Sequence, residues 1–234
     1  MTGQRGIALI LVVLVTSFLS AIGLGLAVIV IMDRLATGNL RGSVAMLYAA
    51  DAAIELAARD LALIEDWNLA LTGASQGSFI DGPVAGLRAI PGGGVVDLAA
   101  ATNVLNCGKA TPCTSAQMDT NSKERPWGAN NARWRLYAYG PFAGLAPLAR
   151  PAPCYLAVWV ADDSREEDAD PLTDGEGGAP GHGIVRLRAE AYGPMGARRA
   201  LEAELARHCQ PGSSEGCRLR NRVQSWHEVR QWLP

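Results

Sequence analysis

The sequence predicts an α+β fold in which one long amino-terminal helix packs on an antiparallel sheet. Three observations carry that expectation. Residues 7–32 form a run of 26 without a charged side chain. Residues 33–67 then keep helical periodicity with almost no turn chemistry. Beyond residue 130, several short segments alternate apolar and polar side chains, the period of half-buried strands. Such a succession, helix first and strands after, is an α+β arrangement.

The helix comes first in the chain. At ~1.5 Å per residue, residues 7–32 reach ~39 Å, enough to cross a hydrocarbon core that is ~30 Å thick and needs ~20 apolar residues. A cleaved secretory signal has only ~7–15 apolar residues before a small-residue site. Here the best such site, Ser20-Ala21-Ile22-Gly23, lies inside the run. No cysteine follows it, which excludes a lipoprotein anchor. Arg5 is the only charge before the run, while Asp33 and Arg34 cancel just after it. The positive-inside rule therefore places residues 1–6 in the cytoplasm. Gly23 and Gly25 weaken the helix by up to ~1 kcal/mol each relative to alanine. Gly38-Asn39 and Gly42 are candidate kink positions just beyond.

From residue 40, Leu40, Val44, Leu47, Ile54, Ala58 and Leu61 recur at helical steps and predict one apolar stripe. Arg41, Glu55, Arg59 and Asp66 fall on another face, with Glu55–Arg59 a favourable i,i+4 pair. One apolar side is how a helix looks when it packs on a sheet. Trp67 is expected to cap the core.

Residues 73–120 are rich in Gly, Ala, Ser and Asn and read as loops with two weak strands, 86–90 and 95–98. Gly92-Gly93-Gly94 lacks the spacing of a phosphate-binding loop and reads as a turn. Clearer strands follow at 133–139, 155–161 and 184–191. Residues 192–196 read as a turn, 199–207 as a strand or short helix, and 223–229 as a last strand with Trp226 and Trp232 as packing residues.

With one span, about 165 of the 234 residues remain outside, enough for one domain with a real core. The formal net charge of −2 argues against bulk nucleic-acid binding. It hides a local split. Residues 162–176 hold eight carboxylates and one arginine, whereas 186–230 hold nine arginines against five glutamates. Arg186 and Arg188 share one strand face, so the arginine-rich end offers a DNA-binding alternative, against which stands a plain solvent-facing sheet.

Cysteines 107, 113, 154, 209 and 217 complete the inventory. Cys107 and Cys113 close a short Pro-containing loop, and so do Cys209 and Cys217. Beyond a membrane span such loops suggest two local disulfides in an oxidising compartment. A cysteine-based zinc site needs C-x₂₋₄-C spacing. The spacings here are five and seven, so the cysteines read as structural, with Cys154 a buried thiol. No nucleophile elbow and no oriented Cys/His pair occurs, and the chain is read as non-catalytic.

The acidic stretch is the most unusual soluble segment. Asp162, Asp163, Asp168, Asp170 and Asp174 could wrap calcium with oxygen ligands. EF-hand spacing fails, because Leu172 takes the third ligand position. A solvated, self-repelling hairpin loop is the alternative. No other cofactor is expected.

Gln4-Arg5-Gly6-Ile7-Ala8-Leu9-Ile10, a short polar leader ending in glycine before an apolar helix, resembles the class III leader of type IV pilins and pseudopilins. Arg5-Gly6-Ile7-Ala8-Leu9-Ile10, Ala36-Thr37-Gly38-Asn39-Leu40-Arg41 and residues 48–55 resemble the PilX-type amino-terminal domain. The resemblance covers about the first 70 residues. It implies cleavage by a prepilin peptidase between Gly6 and Ile7, with methylation of the new terminus. It divides the chain into a leader (1–6), a transmembrane half-helix (7–32), an amphipathic half-helix (33–70) and a globular head (71–234) with a pilin-like fold. Gly23 and Gly25 would mark a stretch that melts when subunits stack.

Major pilins carry a glutamate five residues after the cut, where this chain has Leu11. That departure points to a minor pilin, which also lacks it, and equally to a tip-capping pseudopilin of type II secretion. The implied partners are other pilin subunits, the inner membrane and the processing peptidase. The implied location is the inner membrane with the head in the periplasm, then the pilus. Some members bind calcium in their heads. From another class, the rival is an uncleaved single-span periplasmic protein with a metal-binding or sensing role.

Overall fold

The computed structural model describes residues 4–121, 131, 133–144, 153–166, 170–175, 181–213 and 216–229, with the backbone alone for 4–6 and 209–219. Two compact units are distinguished, residues 1–42 and 43–234. Helix α1 (Gln4–Leu61, 58 residues) contributes to both and runs unbroken through Gly38 and Gly42.

In the first unit, every described side chain from Ile7 to Met32 is exposed. The segment is long and apolar enough to cross a membrane. Thr16, one of its few polar groups, donates its hydroxyl to the Val12 and Val13 carbonyls at 2.9 and 3.0 Å. That satisfies the hydroxyl within the helix, as a lipid surround would require.

In the second unit, the end of α1 is the spine of the core. Met46, Ala49, Ala50, Ala53, Ile54, Ala57 and Leu61 are buried. They share one cluster with Val158 and Val160, with Val185, Leu187, Ala189 and Ala191, and with Leu201, Ala203 and Leu205. The predicted stripe is thus only partly the buried one. Ile54 and Leu61 belong to it, Leu47 and Ala58 are half-buried, and Leu40 and Val44 are 65% and 41% exposed. The correction has a steric cause: alanines let a helix backbone approach a sheet closely, so the small side chains select the inward face. At the sheet's end Gly193 admits the Met46 side chain, since a Cβ there would lie 2.7 Å from the Met46 sulfur.

The sheet has five strands in the order β3-β4-β5-β6-β7, each antiparallel to its neighbour. They are β3 (Arg135–Pro141), β4 (Tyr155–Asp162), β5 (Ile184–Tyr192), β6 (Arg198–Ser213) and β7 (Gly216–Glu228). Residues 199–207, left open between strand and helix, are strand. A bulge between Leu136 and Ala138 turns both Tyr137 and Ala138 to the α1 side, while Tyr139 faces the other. Ahead of the sheet lie α2 (Asn68–Leu71) and a small hairpin of β1 (Leu87–Ala89) and β2 (Val95–Asp97). Two helices follow, α3 (Leu98–Cys107) and α4 (Ser115–Asn121).

Neither α3 nor α4 is expected from the composition of 73–120. For α3 the signals were present. Asp97 caps its first turn by accepting the Ala100 N–H at 3.0 Å, and left-handed Gly108 (φ 71°) closes the last. Leu98 and the half-buried Ala101 and Leu105 cover the second face of the sheet. There they join Trp134, Tyr139, Tyr155, Trp159 and Tyr192. Trp159 Nε1 donates to Thr102 Oγ1 at 2.8 Å, which fastens α3 to β4.

That second face also carries buried charge. Arg188 (3% exposed) and Glu190 (0%) pair at 2.8 Å, and Arg188 and Arg186 both reach Glu202, at 2.5 and 3.1 Å. Glu190 also accepts from Tyr192 OH and from Arg198 Nε at 2.9 Å. Arg186 and Arg188 do share a strand face, but it is ion-paired rather than solvent-facing. Trp67 is buried as expected, donating Nε1 to the Leu61 carbonyl at 3.0 Å. Trp226 is 47% exposed and donates to Asp51 at 2.9 Å, while Trp232 lies outside the described residues.

Candidate metal centre

The acidic stretch begins where β4 ends. Asp162 is the last β4 residue, opposite Val185, and is buried. A tight turn follows in which the Asp163 carboxylate accepts the Arg165 N–H at 3.1 Å and the Asp163 carbonyl accepts the Glu166 N–H at 3.0 Å. Short side chains that satisfy their own backbone are the usual makers of such turns. Arg165 reaches on to Glu204 at 2.9 Å. The turn delivers Glu166 inward, with no exposed surface.

The chain returns through Asp170, whose carboxylate accepts the Leu172 N–H at 3.1 Å. Asp174 comes next and is 6% exposed. Its N–H donates to Asn68 Oδ1 of α2 at 2.6 Å, and its Oδ1 accepts the Gly183 N–H at 2.6 Å. Burial raises the Asp174 carboxyl above its ordinary value. The Gly183 N–H, His182, Arg207 and the Ile184 N–H pull the other way without cancelling it.

His182 stands just before β5, half-exposed. Its Nδ1 is 2.9 Å from the Asp174 carbonyl oxygen and 3.1 Å from that of Gly175. Carbonyls only accept, so Nδ1 carries the proton and holds the ring against the loop. One donor atom from each of Glu166, Asp174 and His182 lies within 4.8 Å of the others. Two glycines let the returning chain pass close against Glu166: a Cβ on Gly175 would fall 1.8 Å from Glu166 Oε1, and one on Gly181 (φ +94°) 2.9 Å from the Glu166 Cβ.

Of the residues named from sequence, the structure brings only Asp174 into this cluster. Asp162, Asp163 and Asp170 lie elsewhere, each with its own interactions, and Asp168 lies outside the described residues. Among the described residues of this stretch, Asp162, Asp163, Glu166 and Asp174 are buried, unlike the solvated carboxylates of the alternative reading, while Asp170 is exposed. Glu166 and His182 were missed. Their signal was an even spacing, Glu166, Asp174 and His182 being eight residues apart, with His182 framed by Gly181 and Gly183.

The remaining expected positions divide similarly. Cys107 and Cys113 form a disulfide, and Cys154 is a buried free thiol whose pKa burial pushes up to about 11. The side chains of Cys209 and Cys217 lie outside the described residues, and Gly6 is described only as part of the α1 backbone. Ile7 is exposed on α1. No protein-family model, curated protein or solved structure matches the chain.

Proposed function

We propose that this protein is a PilX-like minor pilin, processed between Gly6 and Ile7, that joins or primes a type IV pilus-type filament. One observation carries the reading. In a single helix, Gln4–Leu61, residues 7–32 are uncharged and exposed, while the last turns are the buried spine of an antiparallel sheet. A subunit of this kind stores its apolar half-helix in the inner membrane. It then moves that half into a filament core, where neighbouring subunits replace lipid around the same side chains. The role is assembly, not catalysis.

The test is coexpression with a prepilin peptidase, followed by mass spectrometry of the mature amino terminus. The expected product begins at Ile7 and carries one added methyl group. A terminus at Met1, or one beyond Ala21, removes the pilin reading. The Glu166–Asp174–His182 cluster favours the second reading, an uncleaved single-span protein with a metal-binding role, and the same measurement separates the two.

A further inference from the structure

We propose that Glu166, Asp174 and His182 bind a divalent d-block cation of the zinc class, and that the ion ties the acidic loop to the sheet and to α2. This does not depend on the assembly role. The donor set selects the ion. Two carboxylates and one imidazole converge on the space between them. Imidazole suits zinc, copper, iron and nickel, whereas calcium takes about 6–8 oxygen ligands.

The distances are compatible. Tetrahedral bonds of ~2.1 Å set ligand atoms ~3.4 Å apart. With Nδ1 donating to the two carbonyls, Nε2 is the nitrogen left for the ion; a nitrogen of His182 and an oxygen of each carboxylate already lie within 4.8 Å of one another, so closure to that spacing is about 1.4 Å at most. The half-exposed His182 side leaves a fourth position to water.

The surroundings support a built site. Glu166 and Asp174 are both more than nine-tenths buried, and Gly175 and Gly181 admit the Glu166 side chain where any larger residue would collide with it. The permanent positive charge facing Asp174 from the packed elements is Arg207. Arg207 is committed to the Trp67 ring, 4.1 Å away, and to the Ile64 and Glu65 carbonyls. Each ligand lies on a separate stretch of chain: Glu166 follows β4, His182 precedes β5, and Asp174 holds Asn68 of α2. An ion there cross-links all three.

The experiment uses the full-length protein in detergent, in an H208A/H227A background that removes the other two histidines. Zinc and calcium are titrated calorimetrically, with the melting temperature followed alongside. The expected result is zinc binding with a rise in melting temperature, weakened at least about tenfold in H182A and E166Q and unchanged in D170A. No zinc-dependent rise in the background protein overturns the proposal, as does full zinc affinity in H182A. Calcium binding that survives H182A but is lost in D170A also overturns it, assigning the loop to a hard cation. Should H182A fail to fold, cobalt(II) decides. Visible absorption of tetrahedral cobalt that zinc bleaches supports the site, and a pale octahedral spectrum overturns it.

Discussion

Replacing Glu190 with alanine tests how far the inner ion network is shut off from water. The carboxylate has no exposed surface and accepts from Arg188 Nε at 2.8 Å, Arg198 Nε at 2.9 Å and the Tyr192 hydroxyl. Its loss does not strand all three donors equally. Arg198, 25% exposed, can turn to solvent, whereas Arg188, 4% exposed, keeps only Glu202. Tyr192 is left with a buried hydroxyl. Breaking a buried pair from one side costs about 3–5 kcal/mol. For a domain of this size 1 kcal/mol shifts melting by about 2–4 °C, so the expected drop is about 6–20 °C.

Tryptophan fluorescence reports the transition without interference from the apolar half of α1, because Trp134 and Trp159 both sit on the affected face. The paired change R188M/E190L removes charge from both sides and is expected to stay within about 1.5 kcal/mol of wild type. A loss below about 1 kcal/mol in E190A would refute the claim that this carboxylate is desolvated, since solvent-exposed pairs are worth no more than that.

Other outcomes follow from the disulfide and the acidic cluster. Removing the Cys107–Cys113 bridge, with a sequence separation of 6, is expected to cost about 2 kcal/mol on the chain-entropy model. Unreduced peptide mapping should recover that pair, with Cys154 alkylated only after unfolding; a stoichiometric bridge containing Cys154 contradicts the assignment. Asp174 has a raised carboxyl pKa in the folded state, so its contribution to stability is full below the unfolded carboxylate value and is lost as pH rises through the folded one. With chelator present, D174N should therefore be at least as stable as wild type at neutral pH, and wild type should gain on it as the solution is acidified through that window. A neutral-pH wild type more stable than D174N without metal would contradict this, as measured by paired melting curves.

Most of the architecture was legible in the sequence, and the exceptions share a cause. The long helix and strands β3, β4 and β5 rest on clear periodicity, so they were readable, whereas 199–207 stayed open between strand and helix and only the second half of β7 was expected. The inward face of α1 was misread because alanine is nearly silent in a hydrophobic pattern: the eye follows Leu40 and Val44, while packing follows Ala49, Ala50, Ala53 and Ala57. Helix α3 was hidden by its glycine-rich surroundings, although its caps were in plain view at Asp97 and Gly108. The acidic stretch was identified as unusual, but its candidate ligands were chosen by counting aspartates. Which of them converge depends on turns at Asp163 and Asp170 and on His182 arriving from the far side of the loop.

Strand β4 is buried at all eight of its positions. A strand that is polar on one side announces its alignment through polarity, and one that is apolar on both sides does not. Here volume replaces polarity. Leu156, Val158 and Val160 face the alanine row of α1, while Tyr155 and Trp159 face α3 and the aromatic side. A slip of one residue would keep every position but that of Asp162 apolar, yet it would drive Trp159 toward the row of Ala49, Ala50, Ala53 and Ala57 that Leu156, Val158 and Val160 now meet. The chain thus distinguishes its correct pairing from the nearest wrong one by a steric collision, so an early misaligned sheet would be unable to close over its helix.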